Sequence, residues 1–369
     1  MMRKRFGNCG VFTKALFGQD ACISSLAITP MKAIAYLKSL PVDDAQSLID
    51  VNLPLPTHGP NDLLVEVSAV SVNPVDTKVR RNRQPAPDQP EVLGWDAVGT
   101  VRSIGSATTG FQPGDRVYYA GAINRPGCQA QFHAVDARLV GHAPSSLSDA
   151  QAAALPLTSI TAWELLFDRL SVSEDAGQGK RLLIVGAAGG VGSMLVQLAR
   201  RLTQLTVIAT ASKPASRAWV ESLGAHHVID HHQPMAPQLA ALGYKQVDMV
   251  ASLTHSDTHW ADIVEALAPQ GQVALIDDPV SALDIMALKR KSLSLHWELM
   301  FTRSLFETPD MPRQGELLNR VAKLVDAGTL KSTLTQTLSP INAANARQAH
   351  ALIEAGQVQG KLVLSGFSA

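Results

Sequence analysis

The apolar positions of the chain repeat at two periods, and the change falls near residue 156. From Met31 to Pro156, short alternating or continuous apolar runs are broken by Pro, Gly and Asn, as at Leu63–Val72, Ala97–Ile104, Arg116–Tyr119 and Gln129–Val135. This spacing predicts a mostly β half whose loops, 72–78, 93–99 and 111–117, carry its polar groups. After Leu155-Pro-Leu-Thr158 the period turns helical through Thr161–Phe167, and strand and helix then alternate. Strands are expected at Arg181–Val185, Thr206–Thr210, His227–Ile229, Val247–Leu253 and Gln272–Ile276, with helices at Ser216–Leu223 and Trp260–Leu267. Such alternation predicts an α/β architecture with a doubly wound parallel sheet. The end of the chain adds helices at Glu316–Asp326 and Asn342–Glu354 and a strand at Lys361–Leu364, which is expected to return to the first half.

Between the first parallel strand and its helix lies Gly186-Ala-Ala-Gly-Gly-Val-Gly192, followed by Met194, Leu195, Leu198 and Leu202 at helical spacing. A glycine turn that opens a helix aims unpaired backbone N–H groups and the helix dipole at one spot, which suits a pyrophosphate. Gly189 and Gly192 supply the last two glycines of the dinucleotide fingerprint, and Ala187 takes the first position with Gly186 beside it. Gly186, Ala188, Gly189, Gly190, Val191 and Gly192 are therefore candidate cofactor contacts; the bland alternative is a βα turn with packing glycines. Selectivity for NAD would need an acid about 20 residues further on. That place reads Ala209-Thr-Ala-Ser-Lys-Pro-Ala-Ser-Arg217 and holds none, whereas Ser212, Lys213 and Arg217 offer donors to a 2′-phosphate. NADPH is the expected cofactor, unless the two cations merely solvate a surface helix.

Composition narrows the function classes. With Lys+Arg and Asp+Glu equal at 32, no net basic field is present to hold nucleic acid or an anionic membrane. Length, 369 residues, suits about two domains. Cys9, Cys22 and Cys128 are too scattered for a disulfide framework or a structural zinc site. No apolar run reaches membrane-spanning length, so a cytoplasmic protein is expected. Residues 1–30 carry four cations before the first acid, Asp20, and read as an extension foreign to the fold, with Met31 as the natural start; an amphipathic transit peptide is the alternative.

Together, Asn73-Pro-Val-Asp76, Gly94-Trp-Asp-Ala-Val-Gly99, Pro113-Gly-Asp115, Ala187–Gly192 and Gly360-Lys361 resemble the medium-chain dehydrogenase/reductase superfamily in order and spacing. Ser252-Leu-Thr-His255 and His296-Trp-Glu-Leu-Met-Phe-Thr-Arg303 resemble its quinone oxidoreductase branch, and within it the zinc-type alcohol dehydrogenase-like proteins. The resemblance implies a GroES-like catalytic domain from residues 31–156 and 300–369, a Rossmann domain from 157–299, a substrate cleft between them, and a homodimer. It adds Thr158, Leu253 and Lys361 to the expected cofactor contacts.

Zinc does not follow from the resemblance. In zinc-dependent relatives the catalytic metal is held at the positions of Asn73, Trp95 and a third ligand near Leu157, and here an amide, an indole and an alkyl chain stand there. The histidines at 226, 227, 231, 232, 255 and 259 lie at strand ends without a neighbouring cysteine and read as surface residues, although short His tracts can bind transition metals.

Without a metal, an unactivated alcohol is a poor substrate, whereas a quinone or enone delocalises the charge left by hydride addition. The expected donors to that charge are Asn73, Asp76, Lys78, Tyr119 and Arg303, with Lys78 standing where those relatives often carry Tyr. Asp76 reads equally as a loop-closing residue and Tyr119 as strand core. The leading expectation is an NADPH-dependent reductase of quinones or α,β-unsaturated carbonyls. An NADP-linked alcohol or aldehyde dehydrogenase and a low-turnover NADPH sensor are the competitors.

Overall fold

The computed structural model describes residues 30–368; the expected extension, apart from its last residue, lies outside that range. In chain order the first half holds β1 (Met31–Tyr36), β2 (Ile49–Leu53), β3 (Asp62–Val72), α1 (Pro74–Asn82), β4 (Glu91–Val92), β5 (Asp96–Ile104), β6 (Arg116–Ala120), β7 (Phe132–Asp136) and β8 (Val140–His142). Short helices α2 (Asp149–Ala153) and α3 (Pro156–Trp163) lead into the second half. There follow β9 (Arg181–Val185), α4 (Gly190–Leu202), β10 (Thr206–Thr210), α5 (Pro214–Ser222), β11 (His227–Ile229), α6 (Met235–Ala241), β12 (Val247–Ser252), α7 (Ser256–Ala266), β13 (Leu267–Leu275) and β14 (Ser294–Trp297). The chain closes with α8 (Thr302–Leu305), α9 (Arg313–Asp326), β15 (Leu334–Leu338), α10 (Ala343–Glu354) and β16 (Lys361–Ser365).

Parallel pairing joins β9 to β14 in the order β11-β10-β9-β12-β13-β14. The chain winds outward from β9 in one direction, then from β12 in the other. The crevice between β9 and β12 is thus the topological switch point, where such sheets bind ligands at the carboxyl ends of the strands. Leu182 and Ile184 face one core layer and Leu183 and Val185 the other, as expected for strands covered by helices on both faces.

The other strands build a seven-stranded sheet around β3 and a three-stranded sheet around β1. β16 pairs antiparallel with β3, Leu362 opposite Val72, so the chain end does return to the first half. On this sheet membership we propose the division into 31–156 with 300–369, and 157–299.

Two local readings needed correction. Residues 72–78 are not a loop throughout, because α1 starts at Pro74: Asn73 is extended, proline fixes the first helical φ, and the Asp76 carboxylate accepts the Asn73 N–H at 2.8 Å. The helix expected over Thr161–Phe167 begins at Pro156 and widens into a π-helical turn over Glu164–Arg169.

One buried cation ties the two chain ends of the catalytic half together. Arg80, on α1 and fully buried, donates to the Leu40 carbonyl, to His350 Nδ1 at 3.2 Å and to the Glu354 carboxylate, the last two on α10. Burial and the guanidinium push His350 down to about 3, so it is neutral and accepts. Arg80→Met is expected to lower unfolding free energy by about 3 kcal/mol in denaturant titration, since it strands polar partners in the interior.

Candidate active site

At the switch point the glycine turn is shaped by close approaches. Gly186 has φ +81°, and a Cβ there would sit 2.9 Å from the Thr254 methyl; at Gly192 it would lie 2.5 Å from the Ala187 backbone. Gly189 is the N-cap of α4 and no side chain caps the helix, which leaves its first-turn N–H groups available to an anion. Gly186, Ala188, Gly189, Gly190 and Val191 are part-exposed while Gly192 is buried. Leu253 follows β12, its N–H bonded to Val185 O at 3.1 Å, and Thr254 abuts the turn. Thr158 is buried, and its hydroxyl is spent on Ala154 O and Leu155 O just before its helix; its methyl would meet a Cβ on Gly190 at 3.0 Å.

At the end of β10, Ser212 is part-exposed and Lys213 exposed at the N-cap of α5. Arg217 is turned otherwise than expected, with Nη1 donating to Ala211 O at 3.2 Å and Nη2 to Val228 O at 2.9 Å. Its guanidinium braces two strand ends, and of the three expected donors only Ser212 and Lys213 keep the orientation toward solvent that the sequence reading supposed.

Next to this turn lies a buried polar floor. The Lys361 ammonium donates to Val72 O at 3.2 Å and to Asn73 Oδ1, and stands 3.5 Å from Asp96 Oδ2. Asn73 Nδ2 donates to Asp96 Oδ2 at 3.1 Å, and Asp96 Oδ1 accepts the Leu157 N–H at 3.1 Å. Asn73, Asp76, Asp96 and Lys361 are all 3% exposed or less. Burial pushes Asp76 up to about 7 against the pull of the Asn73 N–H and the Lys361 charge. Burial likewise raises Asp96 and lowers Lys361, each opposed by the other's charge.

The donor set at the former ligand positions does not fit zinc. Asn73 Oδ1 is held by an ammonium, the Trp95 indole donates to Arg125 O at 3.4 Å while its ring meets Phe301 edge-on at 6.0 Å, and Leu157 has no ligand atom. Among the described residues, no three His, Cys, Asp or Glu side chains are grouped to hold a metal ion.

The structure does not bring all five expected donors to the cleft. Tyr119 is fully buried, its hydroxyl 3.1 Å from His133 Nδ1, and burial holds its phenol far above the ordinary value, so it is strand core. Arg303 is 7% exposed and its donors are spent on Asp310 at 2.9 Å, Asp168 at 3.0 Å and Glu164. Asn73 has both amide atoms engaged, and Asp76 caps its own helix. Lys78 is different: its side chain is 43% exposed, and Nζ reaches 2.7 Å to Asp278, itself 80% exposed, on the loop after β13. That pair spans the two halves. The Cys128 thiol is buried and pushed up by burial, which makes it unreactive.

Sequence reasoning missed Asp96 and the acids around Arg303. Asp96 had a signal, an acid inside a strand otherwise apolar at its start. Glu164 and Glu298 are 1% and 3% exposed and separated by 134 residues, and Glu298 Oε2 accepts from Arg169 at 2.8 Å. Burial and the facing Glu298 push Glu164 up to about 9 despite Arg303.

Residues 59–149 match the alcohol dehydrogenase GroES-like domain family and residues 223–364 the zinc-binding dehydrogenase family. A zinc-type alcohol dehydrogenase-like protein of Staphylococcus aureus is 37% identical over 91% of this chain and 100% of its own length. The human mitochondrial NAD(P)H oxidoreductase is 30% identical over 84% of this chain and 82% of its own. A crystal structure from Rhizobium etli CFN 42, named as a candidate zinc-dependent alcohol dehydrogenase, superposes with TM-score 0.88 at 56% identity, covering 92% of this chain and 99% of that one. The quinone oxidoreductase of Coxiella burnetii gives 0.75 at 29%, covering 91% and 99%.

Two outcomes follow from this geometry. Gly192→Ala, whose methyl collides with backbone rather than with a flexible chain end, is expected to weaken NADPH binding about tenfold or more in a fluorescence titration. Glu164 has a folded pKa of about 9 against an ordinary 4.5, so its contribution is full below pH 4.5 and lost as pH rises through 9. Thermal midpoints of Glu164→Gln should therefore fall less steeply than those of the parent between those limits.

Proposed function

The chain belongs to the medium-chain dehydrogenase/reductase superfamily and is an NAD(P)H oxidoreductase; we propose that it reduces quinones or α,β-unsaturated carbonyls with NADPH and without a metal. The observation that carries this reading is the cleft floor, where a lysine ammonium and a hydrogen-bonded amide stand in place of a zinc ligand set. A nicotinamide, when bound, supplies hydride. Conjugated acceptors suit such a site because the charge they gain is delocalised and needs only hydrogen bonds and a nearby cation.

Among this chain's own residues, the N–H groups of Gly190, Val191 and Gly192 at the start of α4 hold the pyrophosphate, and the glycines allow its approach. Ser212 and Lys213 receive the 2′-phosphate, while Arg217 fixes the strand ends that present them. Trp95 and Phe301 are both buried and pack edge-on in the core, and the positive charge of Lys361 lies behind the floor. Lys78 is the proton donor: half exposed and tied only to an exposed carboxylate, it can turn from Asp278 to the reduced oxygen. No helix among the described residues is long and apolar enough to cross a membrane.

The test is loss of NADPH absorbance with 1,4-benzoquinone, 9,10-phenanthrenequinone and an alkenal, in the presence of chelator and with NADH as control. Turnover that prefers NADPH and ignores chelator is expected, with Lys213→Glu cutting that preference about tenfold and Lys78→Met lowering kcat about a hundredfold. Activity restored only by added zinc would overturn the metal-free reading, and silence with every acceptor the reductase reading.

A further inference from the structure

Lys361 touches both halves of the site, but with different parts of its side chain. Its strand enters against the dinucleotide turn, where Gly360, at φ +58°, donates its N–H to Ala188 O at 2.9 Å. A Cβ on Gly360 would lie 2.4 Å from Thr333 O, so the strand start is pressed into place. One residue on, the Lys361 stem covers Gly190, with Cδ 2.7 Å from where a Cβ of that glycine would be. The ammonium then turns away from the turn into the cleft floor, bonding Val72 O and Asn73 Oδ1 beside Asp96. Asp96 in turn accepts the N–H of Leu157, in the same helix as Thr158, whose methyl also faces Gly190. Leu362, the next residue, is locked opposite Val72 in the sheet.

We propose that Lys361 is a positioning residue rather than a phosphate ligand: it couples occupation of the glycine turn to the order of the cleft floor through its stem on Gly190 and its ammonium on Asn73. The inference rests on the NAD(P)H-binding reading of the turn and is independent of which acceptor is reduced. A dinucleotide seated on Gly189–Gly192 confines the stem that lies over Gly190, and the same side chain then confines the Asn73 amide and the start of α1. Coupling of this kind needs a physically continuous element, and here it is one side chain long.

Hydrogen exchange of the full chain with and without NADPH tests it. In the parent protein NADPH is expected to slow exchange both in peptides covering 186–195 and in those covering 69–80. Lys361→Met should keep the first protection and lose the second, with the NADPH Kd changed less than about threefold and kcat at saturating NADPH lowered about tenfold. Lys361→Arg should restore the second protection at least in part. Because the methionine variant strands a buried carboxylate, the same pattern is to be sought in the Asp96→Asn background, where that charge is absent. Loss of both protections with a Kd raised about thirtyfold or more would make Lys361 a cofactor ligand and overturn the proposal. Retention of both in the methionine variant, or a parent floor that does not respond while the turn does, would overturn it as well. A parent protein protected nowhere would instead sink the cofactor reading, and this inference with it.

Discussion

Burying the Lys361 ammonium costs several kcal/mol or so of desolvation, and only close counter-charge with saturated hydrogen bonds offsets a cost of that size. Most of the local architecture can be read as meeting that condition. Asp96 sits at the start of β5 to supply the charge, Asn73 bridges ammonium and carboxylate, and the start of α3 gives an N–H to the other carboxylate oxygen. Each of these groups comes from a different element, and β16 brings the lysine itself. The C-terminal strand must therefore dock on β3 before the floor is electrically tolerable. This is a physical reason why the catalytic half is built from both ends of the chain, with α1 and α10 clamped by Arg80 on the same side.

The same condition shapes the chemistry. The ammonium is paired with the Asp96 carboxylate 3.5 Å away, so the floor carries little net positive field and supplies instead a fixed set of polar groups in a low-dielectric interior. Burial holds Asp76 up at about 7, so its carboxyl is only partly ionised at neutral pH. That balance does not by itself select an acceptor, and the proposed preference for conjugated acceptors rests on residues 73, 95 and 157 offering no zinc ligand set.

Much of the fold was legible in the sequence because it depends on period and punctuation. Continuous apolar runs marked β9, β10 and β12, and the glycine turn marked the start of α4. Elements stabilised by pairing rather than by pattern were not visible: β14 and β15 are short and largely polar, and α1 is announced by capping residues, while Lys78, Arg80, Arg81 and Asn82 hide its apolar face. The site was legible only as a set of residue types. Nothing local in the sequence shows that Arg303 meets Glu164 and Asp168 across more than 130 positions, that Tyr119 turns to His133, or that Arg217 braces backbone carbonyls. Those fates are decided by which donors burial leaves unpaired, a property of the assembled molecule.

The names carried by similar proteins divide along the same line. A fold survives substitution because its core asks for volume and pattern, so family membership extends over the whole described chain. A zinc site needs several specific ligand atoms at about 2 Å from one point, so three substitutions can remove it without disturbing a strand. Here the residues at the three positions are held by their surroundings: the Trp95 ring lies against Phe301, Leu157 joins the hydrophobic core, and the Asn73 amide is consumed by Lys361 and Asp96. The residues present at 73, 95 and 157 do not fit zinc, and the proposed reaction is read from the lysine, the amide and the carboxylates that stand there.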